Sequence, residues 1–158
     1  ALFINCDHSL LTYSFYKQPK FILQLFQIRL REIIKINLLP ATIIGFGLAL
    51  LLFASGGTDA PLDYVVLIVS IICLSIFFSV HYLTIYYLLQ PYNAETDIKS
   101  GMYQLIMSAT YMVCYIFIQI ELPTLYFGAA TIIFCISYCI IASILVYKLA
   151  SKTFKIRT

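Results

Sequence analysis

Four long, nearly charge-free apolar runs decide what this chain can fold into. They lie at about 38–55, 64–90, 102–120 and 124–147. Each is near the roughly 20 residues that a helix needs to cross a bilayer. A soluble domain is about a quarter charged, whereas this chain of 158 residues is 62% hydrophobic and 11% charged. Its mean hydropathy is +0.95. So little polar surface cannot cover a water-soluble particle, and lipid is the expected solvent for most of the length. The sequence therefore predicts an all-α integral membrane fold. Four transmembrane helices follow a cytoplasmic amphipathic interfacial helix, with both termini cytoplasmic.

The run ends are marked by turn chemistry. GGTDAPLD closes the first run, Pro91 stops the second, and only ELP separates the third from the fourth. The last two runs therefore form a tight antiparallel hairpin. Orientation follows from Lys and Arg, which concentrate in cytoplasmic loops. Lys17, Lys20, Arg29, Arg31 and Lys35 precede the first run, and Lys99 lies between the second and third. Lys148, Lys152, Lys155 and Arg157 follow the fourth. With four crossings all ten fall on one side, and the opposite loops hold only Asp59, Asp63 and Glu121. Three regions result: a cytoplasmic segment 1–37 with a short helix and the amphipathic helix, a four-helix bundle 38–147, and a basic tail 148–158.

In FILQLFQIRLREIIKIN, before the first run, Gln24, Gln27, Arg31 and Lys35 form one polar stripe at helical spacing. This pattern predicts a helix along the cytoplasmic leaflet, its basic groups near anionic headgroups. Arg29 and Glu32, at i and i+3, interrupt the apolar side and can pair with each other.

Polar residues recur inside the apolar runs. Gln104, Ser108, Tyr111, Tyr115 and Gln119 follow one another at spacings of three and four and share one helix face. In hydrocarbon such a seam should face other helices or a wet cavity, so it either bonds helices together or walls a substrate path. The second run carries Ser70, Cys73, Phe77, His81 and Thr84 on one face. No other ionisable group lies within a run to extend a proton relay from His81. A neutral imidazole bonded to a neighbouring helix is expected, with Tyr82, Tyr86 and Tyr87 in an interfacial aromatic belt. Ala41, Gly45 and Ala49, and likewise Thr131, Cys135, Cys139 and Ser143, make small-residue faces for close helix packing. Cys135 and Cys139 lack a nearby His or carboxylate to complete a metal site.

The loop PYNAETDIKSG is the longest polar connection between runs. With Arg29 and Arg31, its residues Pro91, Tyr92, Asn93, Glu95 and Asp97 are the candidate docking surface for a cytoplasmic subunit. The sequence has no GxxxxGK[ST] phosphate loop, no HExxH and no GxSxG. No enzyme activity, cofactor or metal is expected, and no stretch is basic enough for nucleic acid. NCDHS at 5–9 gathers reactive residue types, but four adjacent side chains cannot converge on one point. Asp7 or Ser9 reads instead as the N-cap of a short helix through LLTYSFY.

NCDHSLLTYSFYKQP, RLREIIKINLLPA, SIFFSVHYLTIYYLLQPYN and CYIFIQIELPTLYFG together resemble the C-terminal portion of a bacterial family of membrane proteins described as ABC exporters. The resemblance runs over nearly the whole chain. It implies a permease subunit in the bacterial cell membrane, driven by a separate cytoplasmic ATP-binding subunit. Further spans upstream in the same chain, or a second permease subunit, would complete it. Ala1 in place of an initiator Met fits the reading of a piece of a longer protein. A non-transporting membrane anchor or assembly protein is the alternative, and an intramembrane enzyme ranks last because His81 stands alone.

Overall fold

The computed structural model describes residues 18–57, 60–89, 101–120 and 123–153. The fold is all-helical: α1 is Pro19–Ala54, α2 Pro61–Leu89, α3 Gly101–Ile118 and α4 Thr124–Thr153. Among the described residues there is no strand. α1, α2 and α4 are long and apolar enough to cross a membrane, and α3 is a shorter apolar helix.

Local chemistry sets the helix ends. Pro19 and Pro61 occupy first helical positions, where a missing N–H costs nothing and the fixed φ suits a helix. Asp63 in the first turn of α2 complements the positive end of the helix dipole. α1 stops in a Schellman turn: Gly57 N–H donates to Leu52 O at 2.9 Å and Gly56 N–H to Phe53 O at 3.4 Å. Gly56 has φ 115° and Gly57 φ 70°, a region that side chains with a Cβ resist.

The amphipathic segment and the first run are not separate elements, as the sequence reading expected, but one helix of 36 residues with Pro40 inside. Pro40 removes a single hydrogen bond, and the helix continues through it because one face stays covered on both sides. Ile22, Phe26, Arg29, Ala41 and Gly45 are buried, with Ile33 and Asn37 half-buried between them. Those positions follow one another at spacings of three and four, which is one helix face.

The helices group into two compact units. One takes in the described residues of Ala1–Gln27, Tyr82–Ile120 and Ala142–Thr158, the other those of Ile28–His81 and Glu121–Ile141. In the first unit, the Phe26 and Tyr87 rings meet edge-on at 5.5 Å and 87°. In the second, helices approach through small residues: Gly45 lies against Ile68, and Gly128 lies against Val66 and Ser70. Buried positions hold Ala41, Cys135 and Ala142, while Ile43, Phe46, Leu50, Phe53, Ile133 and Ile140 are exposed. Large apolar side chains on the outer faces suit helices that meet lipid, while Ile22, Phe26, Phe77, Val80, Leu83, Ile85, Tyr87 and Val146 are buried beside the small residues.

Candidate functional site

Two groups of polar residues were singled out on α2 and α3, and they occupy opposite situations. The α2 group lies inside. Ser70 and Thr84 are buried, with Cys73 and His81 half-buried and Phe77 buried between them. Ser70 Oγ donates to the Val66 carbonyl one turn back at 2.7 Å. His81 Nδ1 lies 2.7 Å from the Tyr138 hydroxyl of α4. That ring stacks on Phe77 at 5.5 Å and 20°, and Phe77 meets Tyr138 edge-on at 4.8 Å. The imidazole is thus a member of an aromatic packing cluster with a hydroxyl partner 57 residues away in sequence.

Sequence reasoning missed Asn37. Its amide Nδ2 donates to Ser79 Oγ at 3.0 Å, while Ser79 Oγ itself donates to the Ser75 carbonyl at 2.8 Å. This bond ties α1 to α2 through the buried face of α1. The signal was available: Asn37 stands four residues before Ala41 and eight before Gly45, on the same face.

Thr84 differs from these satisfied groups. It is 3% exposed, and its hydroxyl has no hydrogen-bond partner among the described residues. Opposite outcomes are therefore expected for two near-isosteric changes. Tyr138→Phe, which removes a bonded hydroxyl, should cost about 0.5–2 kcal/mol. Thr84→Val, which removes an unbonded one, should cost nothing or stabilise by up to about 1 kcal/mol. Denaturation of both variants in detergent compares them directly, and equal losses would show that the hydroxyl partners do not matter.

The α3 seam is exposed. Gln104, Ser108, Tyr111, Tyr115 and Gln119 all present themselves outward, Tyr111 at 62% and Tyr115 at 64%. Tyr111 reaches another helix, through a side-chain hydrogen bond with Tyr82 of α2. The covered residues of α3 are Tyr103, Ile106, Met107, Thr110 and Cys114. At 100° per residue that strip lies about 120° round the helix from the seam. Helical spacing places Gln104, Ser108, Tyr111 and Tyr115 together on α3, where they are exposed, and Gln119 lies just past its last residue.

The candidate docking residues are split. Arg31 is exposed, as are Gln24, Gln27 and Lys35 of the same stripe. Arg29 is 4% exposed and so is not displayed at the surface. Glu32 Oε1 accepts from Lys35 Nζ at 2.7 Å, an exposed ion pair. Tyr87 is 0% exposed and packs on Phe26 rather than standing in a lipid-facing belt. Pro91, Tyr92, Asn93, Glu95 and Asp97, and the NCDHS run, lie outside the described residues. Cys73, Cys114, Cys135 and Cys139 are free thiols, and no group of three or more His, Cys, Asp or Glu forms among the described residues. No family model, no curated protein and no solved structure matches this chain.

Proposed function

We propose that this chain is the membrane-spanning permease part of an ABC-type exporter of the bacterial cell membrane, driven by a separate ATP-binding subunit. The observation that carries the reading is the separation of charge from lipid-compatible surface along α1. Its basic residues all precede Ile36, and 36–54 is uncharged. At 1.5 Å per residue the uncharged stretch is about 28 Å long, close to the roughly 30 Å hydrocarbon core. The preceding part of the same helix then stands in the cytoplasm with Arg31 displayed for a partner. α2 and α4 cross likewise, and the 18 residues of α3, about 27 Å long, cross with slight thinning of the bilayer. That makes four crossings with both ends cytoplasmic. ATP-driven movement of the bound subunit would be transmitted through the protruding part of α1 and the 91–101 loop.

A second reading, a non-transporting anchor or assembly protein, is favoured by polar groups that bond within the second unit. Asn37 with Ser79, and His81 with Tyr138, are pairs between helices of that unit. Affinity isolation of the tagged chain from its native membrane separates the two. The permease reading expects an ATPase subunit in the complex, released by Arg31→Glu combined with Glu95→Lys and Asp97→Lys. Isolation without an ATPase would favour the anchor reading.

A further inference from the structure

We draw no further inference here: the strongest candidate, the exposed polar face of α3 that carries Gln104, Ser108 and Tyr115, supports none because nothing in the structure shows what covers it.

Discussion

Phe26→Ala should destabilise the protein by about 3–5 kcal/mol, the largest effect expected of any single truncation here. Phe26 is 1% exposed, and Ile22 one turn earlier is equally buried. Its ring stands edge-on to that of Tyr87, which is 0% exposed. Truncation removes the ring contact and leaves a cavity that two long helices cannot collapse without moving their backbones. In the proposed topology this position lies beyond the hydrocarbon core. Water is then the reference solvent, and the full apolar transfer term adds to the packing loss. Within the core that term would vanish, since lipid is as apolar as the ring. Ile36→Ala is the control: Ile36 is 63% exposed and should cost under about 1 kcal/mol. Unfolding of both variants by denaturing detergent, followed by circular dichroism, gives the comparison. A Phe26→Ala loss no larger than that of Ile36→Ala would contradict the packing described for this unit.

Gly128 should tolerate no side chain. A Cβ there would collide with Val66 Cγ1 and stand 2.9 Å from Ser70 Oγ, inside the distance that real contacts allow. Ser70 cannot easily swing away, because its hydroxyl is bonded to the Val66 carbonyl. α4 must therefore move off α2, loosening the buried Thr131 and Cys135 along the same face. Gly128→Ala is expected to cost about 1–3 kcal/mol and Gly128→Leu more. The comparison residue is Gly47, where a Cβ would meet nothing within 4 Å. Gly47→Ala should be neutral or stabilise by about 0.5–1 kcal/mol through helix propensity. The two substitutions are chemically the same and differ only in what faces them. Equal melting temperatures for Gly128→Ala and Gly47→Ala in detergent would refute the close approach of α2 and α4.

How far the sequence could be read depended on the kind of information each residue carries. Runs of apolar residues and their bounding Gly and Pro placed run ends near 55, 64, 102 and 124, within three residues of helix ends at Ala54, Pro61, Gly101 and Thr124, because those signals are local. The small faces through Ala41 and Gly45, and through Thr131 and Cys135, were legible for the same reason. Periodicity also grouped Gln104, Ser108, Tyr111 and Tyr115, which lie on α3, with Gln119, which falls just past its end. A period fixes which residues share a face, however, and not what that face meets, so the outward turn of the seam was out of reach. Arg29 shows the same limit from the other side. Its charge argued for a surface, while its position between Phe26 and Ile33 on the covered face put it inside. The continuity of α1 through Pro40 was hidden because a proline and a change from amphipathic to uniformly apolar pattern both read as a boundary. The His81–Tyr138 and Asn37–Ser79 pairs span 57 and 42 residues, and no local pattern in one sequence joins partners so far apart.

The central claim is that all four helices cross the membrane, with every Lys and Arg on one side. Single cysteines at Thr58→Cys, Lys99→Cys, Glu121→Cys and Thr158→Cys, placed in a cysteine-free background, test it with a membrane-impermeant maleimide on intact cells. Thr58→Cys and Glu121→Cys should label from outside, and Lys99→Cys and Thr158→Cys only after permeabilisation. Labelling of Lys99→Cys and Glu121→Cys from the same side would show that α3 does not cross, and would contradict the account.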